Sequence, residues 1–368
     1  MPGISGQPAS RRASRFAPGP ASRPALPLVL TMGEPAGIGG EIALMAWAAR
    51  RERPVPPFVV IDDPGRLEAL AGRIGLRVPV RSVGDAREAP DMFAEAMPVL
   101  PLKLAAAVEP GRPDPANGPA VVAAIDRAVG LVRTGAAAAV VTNPIQKSAL
   151  YRAGFEHPGH TEYLAHLAGM TDEPVMMLEG GGLRVVLATI HLPLREVPDA
   201  LTRDGIVHCA EVTLKALAND FAIERPRLAV AALNPHAGEQ GALGREEMDV
   251  ISPAVDRLRA SGHAVEGPLP ADTLFYEAAR RRFDAVVCMY HDQGLIPLKT
   301  LDFDGGVNIT LGLPFVRTSP DHGTALDIAG QGRASPRSLI AALETASRLA
   351  HGRRTAPVPV PVPVPGGA

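Results

Sequence analysis

RLAVAALNPH, residues 227–236, holds an unbroken apolar run from Leu228 to Leu233 and then closes on a histidine. A short run without polar alternation reads as a strand covered on both faces, the kind a parallel sheet contains. Two further stretches have the same form, LRVVLATIH (183–191) and FDAVVCMYH (283–291). Upstream, LPLVLT (26–31), PFVVID (57–62) and AAAAVVT (136–142) are similar runs without the closing histidine. Helical periods fill the gaps, at 161–170, 205–219, 245–260, 272–282 and 337–350. The clearest is 119–134, with Pro119 in its first turn, Val121, Val122, Ile125, Val129 and Val132 on one side, and Gly135 to end it. Strand alternating with helix predicts an α/β fold around a mostly parallel sheet. Ligands then gather beyond the carboxyl ends of the strands.

The chain is 368 residues long, 46% hydrophobic and 21% charged, enough for two domains and a sizeable core. Its net charge is 37 − 39 = −2, so no global basic field exists to hold nucleic acid. No apolar run approaches the ~18 residues of a membrane span. The best stretch, 119–142, is broken by Asp126, Arg127 and Arg133. Only Cys209 and Cys288 are present, which excludes a disulfide scaffold and a cysteine-built zinc site. The expectation is a soluble, cytoplasmic protein with neither membrane nor nucleic acid as partner. Residues 1–25, rich in Ser, Ala, Pro and Arg, read as a disordered start with a faint transit-peptide composition. TAPVPVPVPVPGGA (355–368) reads as extended polyproline, so 353–368 is set aside as a tail. Of 37 basic residues only Lys103, Lys147, Lys215 and Lys299 are lysine, leaving 37 − 4 = 33 arginines. A lysine kept against that bias deserves notice for its compact ammonium.

His191, His236 and His291 stand in equivalent places just past three strands. Any one alone would more often be a structural histidine. Three converging on one crevice suit a catalytic divalent metal with an open coordination position, such as zinc or cobalt. Asp292, beside His291, is placed to orient a ligand. A second group seeks anions. MGEPAGIGGE, with Gly33, Gly37, Gly39 and Gly40, precedes a helix and reads either as a backbone cradle or as a plain tight turn. NPIQK presents Asn143 and Lys147, and His160 and Thr161 open the 161–170 helix, where Thr161 also reads as an N-cap. The loops after His291 supply Lys299, Asn308 and Arg317, suited to phosphate or carboxylate. Asp272 reads equally as a helix N-cap or as a carboxylate aimed into the site.

With these residues assembled, the chain resembles the 4-hydroxythreonine-4-phosphate dehydrogenases of pyridoxal phosphate biosynthesis. The resemblance rests on TMGEPAGIGGEI (31–42), TNPIQKSAL (142–150), HPGHTEYLA (157–165), TIHLPL (189–194), LNPHAGEQGALGREE (233–247), PADTLF (270–275) and the long block 289–332. Within that block, DHGTALDIAGQG is similar to the adenosine loop of isocitrate and isopropylmalate dehydrogenases. The resemblance implies an isopropylmalate dehydrogenase-like fold of two α/β/α domains, 26–145 plus 300–352 on the cofactor side and 146–299 on the metal and dimer side. The active site would lie in the interdomain cleft. It implies His191, His236 and His291 as ligands of one divalent ion (zinc, cobalt or magnesium). It implies His160, Thr161, Lys299, Asn308 and Arg317 as substrate-binding residues, and Gly323 and Asp327 on the NAD or NADP. It further implies a homodimer with the site at the subunit interface, one metal histidine coming from the partner. The implied reaction oxidises 4-phosphohydroxy-L-threonine, and the resulting β-keto acid loses carbon dioxide. Asp272 and Lys147 are the groups considered for taking the hydroxyl proton. Four alternatives stay open: a dehydrogenase of 4-phospho-threonate or 4-phospho-erythronate, a phosphate acyltransferase, a zinc hydrolase, and a non-catalytic binding protein, which would leave the histidines unexplained.

Overall fold

The structure is a computed structural model and describes residues 26–355. The readings for residues 1–25 and for the Pro-Val tail after Thr355 lie outside the described residues. Residues 353–355 belong to the last helix, Arg337–Thr355, and not to the tail. Among the described residues no helix is long and apolar enough to cross a membrane.

One twelve-stranded sheet organises the chain. From one edge it runs β3 (Val80–Ser82), β4 (Met97–Pro101), β2 (Phe58–Asp62), β1 (Leu28–Thr31), β5 (Val140–Thr142) and β12 (Arg317–Pro320). It continues through β11 (Val307–Leu311), β6 (Val175–Gly180), β7 (Leu183–Leu187), β10 (Ala285–Cys288), β8 (Arg227–Ala231) and β9 (Ala264–Leu269). Eight of the eleven neighbouring pairs are parallel, as the apolar runs predicted. The three antiparallel pairs, β12–β11, β11–β6 and β6–β7, sit together in the middle. The strand direction therefore reverses there, and the two parallel wings point opposite ways.

The two faces of the sheet are covered differently. On one, a continuous apolar core joins Leu28, Leu30 and Val141 of one wing to Met177, Val186 and Val287 of the other. Helices Gly39–Ala49, Arg203–Asn219, Ser252–Ala260 and Arg337–Thr355 lie over it, contributing Ile42, Leu214, Leu258 and Leu343. On the opposite face the core is split. Val29, Ile61 and Val140 pack under helices Gly118–Arg133 and His160–Ala168, while Leu178, Val185 and Leu187 pack with Leu298 of helix His291–Leu301. Burying each such side chain is worth roughly 1.5–3 kcal/mol, so each core holds its own wing firmly. Between the two cores the floor is polar. A cleft follows from that division.

Several sequence expectations change. The strands are shorter than the apolar runs: β1, β2 and β5 begin after the run does, and β7, β8 and β10 end before it. Residues 245–260 begin with a π-helical turn, Glu247–Ile251, before the α-helix. The 272–282 helix is reduced to a 3-10 turn, Ala271–Thr273, and one α-turn, Glu277–Arg280, because Tyr276 between them is extended. The segment after His291, read as loop, is a helix and two strands.

Candidate active site

The cleft floor is built from side chains that pairing register places on one face. Arg317 begins β12, and its guanidinium donates to the hydroxyl of Thr142 on β5 (2.6 Å from Nη2) and to that of Thr310 on β11 (2.8 Å from Nη1). Asn308, two residues before Thr310, shares that face, and its register partner Leu178 belongs to the split core. Arg317 is buried, and burial holds its guanidinium down to about 10. No carboxylate forms an ion pair with it among the described residues, so an anionic ligand would find a prepared cation.

The wall on the β5 side carries Lys147, His160, Thr161 and Glu162. Helix 160–168 starts at His160 behind Gly159, whose extended backbone provides no side-chain cap, so the first-turn N–H groups remain open to an anion. Thr161 lies inside the helix and is not its N-cap. His160 is driven down to about 3 by burial first, then by Arg317 and Lys147. It is therefore neutral, and its Nε2 is buried without a hydrogen-bond partner. Lys147, which starts helix Lys147–Arg152, makes no hydrogen bond or ion pair among the described residues, yet its charge reaches both His160 and His191. Glu162 reaches Arg317 and His191 in the same way. A Cβ placed on Gly159 would lie 3.0 Å from Glu162 Oε2 and 3.3 Å from Lys147 Nζ, which sets both head groups at one spot.

The facing wall carries the histidines. His291 opens helix 291–301 directly after β10, and His191 follows β7. Thr189 Oγ1 donates to the Met289 carbonyl (2.7 Å), tying the two exits together, and the imidazole centroids lie 5.8 Å apart. Burial, with help from His291 and Lys147, lowers the pKa of His191 and so favours the neutral, metal-binding imidazole. Asp292 Oδ1 sits 2.8 Å from His291 Nδ1, leaving Nε2 for a ligand. Gln293 stitches this exit to the next, accepting from Met289 N (2.7 Å) and donating to the Ala232 carbonyl (2.6 Å). His236 follows β8 on an exposed turn. Among the described residues no three His, Cys, Asp or Glu side chains come close enough to hold an ion. The convergence of all three histidines thus does not occur within one chain.

Lys299 lies in the last turn of helix 291–301 and not in a loop, and its ammonium pairs with the Asp321 carboxylate. Asn143 faces inward, donating to the carbonyls of Thr31 (3.0 Å) and Gly39 (3.3 Å), so it fastens β1 to β5 instead of meeting an anion. Gly33 and Gly39 are needed for the same contact: a Cβ on Gly33, at φ +68°, would sit 2.6 Å from the Pro144 carbonyl and one on Gly39 3.1 Å from Asn143 Cβ, while Gly37 abuts Thr324 and Gly40 abuts Arg66. Asp272 is exposed and caps nothing. Gly323 and Asp327 are exposed on a loop held by Ile38 N to the Thr324 carbonyl (3.1 Å) and by Glu41, which accepts from Gly330 N (2.8 Å). Beside that loop a cavity of about 570 Å³ opens between Pro35, Gly37, Arg66, Arg73 and Ala105–Val108. Thr142, Thr310, Glu162 and Asp321 went unnoticed in the sequence, since single threonines and acids carry no spacing signal. VNITL could have revealed Thr310, because its alternation is that of a strand with one polar face.

A family model described as pyridoxal phosphate biosynthetic protein PdxA matches residues 55–346. A 4-hydroxythreonine-4-phosphate dehydrogenase of Methylorubrum populi is 58% identical over 330 residues, 88% of this chain and 94% of that protein. The crystal structure of a 4-hydroxythreonine-4-phosphate dehydrogenase from Klebsiella pneumoniae superposes with TM-score 0.79 at 40% identity, over 89% of this chain and 100% of that one. A terephthalate 1,2-cis-dihydrodioldehydrogenase from Burkholderia xenovorans gives TM-score 0.60 at 30% identity, over 88% and 98%.

Proposed function

Since the chain belongs to the PdxA family of 4-hydroxythreonine-4-phosphate dehydrogenases, we propose that it oxidises 4-phosphohydroxy-L-threonine with NAD, or NADP, in the cleft between its two split cores. The product, 2-amino-3-oxo-4-phosphooxybutanoate, then loses carbon dioxide to give 3-amino-2-oxopropyl phosphate. The observation that carries this reading is the unpaired, buried Arg317 facing neutral His160 and the open first turn of helix 160–168. Such a floor suits a small dianion and excludes water from it. Asn308 and Thr161, whose side chains make no hydrogen bond among the described residues, complete the anion set, and Lys299 joins it by exchanging Asp321 for substrate. Holding both ends of the substrate fixes its C–H against the nicotinamide. Gly323 and Asp327 would contact that cofactor. We place the lobes at 26–145 plus 300–352 and at 146–299.

The donor set also fits a divalent ion shared between two chains. His191 and His291 present two imidazoles, one backed by Asp292, and His236 of the partner subunit would supply the third. When bound, the ion supplies positive charge that lowers the hydroxyl pKa and stabilises the enolate left by decarboxylation. Lys147 stands free at the same spot to receive the hydroxyl proton or to return one to carbon. All but one of the exposed large hydrophobic side chains among the described residues fall between Leu192 and Phe303 in the chain, the stretch that also holds His236 and His291, which supports a homodimer formed through that part of the molecule. A cytoplasmic enzyme accords with this chemistry.

The test is NADH formation. Purified protein should reduce NAD with 4-phosphohydroxy-L-threonine and stop when a chelator is added. H236A should lose turnover and metal while remaining folded. Activity with 4-phospho-threonate but none with the amino substrate would reassign the enzyme to the sugar-acid dehydrogenases.

A further inference from the structure

His236 reaches the surface on a backbone that side chains rarely adopt. His236, Ala237, Glu239 and Gln240 have φ of 52°, 54°, 43° and 59°, with Gly238 at 75° between them. Left-handed backbone crowds the Cβ of an L-residue against the following carbonyl, so a run of this kind persists only where its surroundings over-determine it.

Glu247 supplies that constraint. It is 3% exposed, and Oε1 accepts the backbone N–H of Leu233 (2.9 Å) and of Asn234 (2.8 Å). Its Oε2 accepts from Nδ2 of Asn234 (3.0 Å), which also donates to Glu246 Oε2 (2.7 Å). A Cβ on Gly238 would lie 2.6 Å from Glu247 Oε2, so the carboxylate touches the middle of the turn as well as its entrance. Every partner it has here is a donor of its own loop. A buried carboxylate spent wholly on one strained turn needs a reason. Of the side chains that turn exposes, His236, Glu239 and Gln240, His236 carries the imidazole that can join His191 and His291.

We propose that Glu247 is a positioning residue for the metal site: it holds turn 236–240 in the geometry that projects His236 out of its own chain toward a second copy. The inference rests on the shared-ion reading above. The Leu243 and Met248 side chains, both about half exposed, flank the turn and would pack against that copy.

Cobalt(II) titration of the full-length protein, followed by visible absorption and chelator competition, tests this. Glutamine at 247 keeps the shape but turns one acceptor into a donor facing Asn234 Nδ2. E247Q should bind cobalt about ten- to hundredfold more weakly, as when a ligand-orienting group is lost, with a changed ligand-field band. Its melting temperature in chelator should stay close to wild type. G238A, whose methyl must displace the same carboxylate, should weaken cobalt likewise and decides the matter if E247Q does not fold. Wild-type cobalt affinity in both variants, with H236A impaired, overturns the positioning role and leaves the shared ion standing. Equal cobalt binding by wild type and H236A overturns the shared ion, and this role with it.

Discussion

Arg317 is a buried cation whose hydrogen-bond acceptors among the described residues are two threonine hydroxyls. An uncompensated buried charge destabilises the empty protein and strengthens anion binding. R317M should therefore keep or raise the melting temperature, while KM rises at least tenfold, the order of one charge-assisted hydrogen bond at about 1.5–3 kcal/mol. Thermal shifts with added phosphate would check it: a stabilising shift in wild type should vanish in the variant. His160 gives a pH signature. Its folded value of about 3 lies below the ordinary 6.5. Between those values the unfolded chain binds a proton that the folded chain refuses, so stability present at neutral pH is lost as pH falls from 6.5 toward 3. Between pH 7 and 5 this amounts to about 2 kcal/mol. H160Q should flatten that part of the decline, and an equal loss in both proteins by urea titration would refute the assignment. Histidines and lysines were legible in the sequence because they are scarce and chemically distinct. Thr142 was not, because its partner Arg317 lies 175 positions away, and Thr310 and Glu247 were not, because their nearer partners meet them only once the strands pair and the turn closes.

Helix 291–301 carries His291 at one end and Lys299 at the other, so its seat on the sheet sets two parts of the site together. Gly294 makes that seat. A Cβ there would lie 2.9 Å from Leu187, 3.2 Å from Val185 and 3.3 Å from Cys288, all in the core. G294A gains up to ~1 kcal/mol of helix propensity but overpacks that contact by typically 1–3 kcal/mol. We expect net destabilisation and a fall in kcat, with G294V worse; an unchanged melting temperature and kcat in G294A would show that the seat can yield. The strands under this helix were readable because both their faces are apolar. The segments 307–311 and 317–320 were missed for the opposite reason. In VNITL, Val307, Ile309 and Leu311 enter the continuous core while Asn308 and Thr310 face the cleft. Strands that build the floor of a site must break the pattern by which buried strands are recognised.

At the scale of the molecule, the continuous core on one face joins the wings and the split core on the other opens the cleft. Leu194, three residues after His191, and Phe303, whose ring centroid lies 5.3 Å from Lys299 Nζ, are 67% and 75% exposed. On the proposed homodimer, wild type should sediment as two chains and L194D/F303D as one, and the variant should bind cobalt weakly. A double variant that stays dimeric would put the interface elsewhere. Sequence by itself determined the α/β class, the mostly parallel sheet and the residue types of the site, since apolar runs and scarce imidazoles are local properties of the chain. Only the tertiary structure decided that the strand direction reverses mid-sheet, that Arg317 and Asn308 floor the cleft, that Lys299 meets Asp321, and that His236 stands apart from the other two histidines. Those facts depend on strand register and on which face each core covers, and contacts between residues 175 positions apart, such as Arg317 with Thr142, leave no periodicity to read.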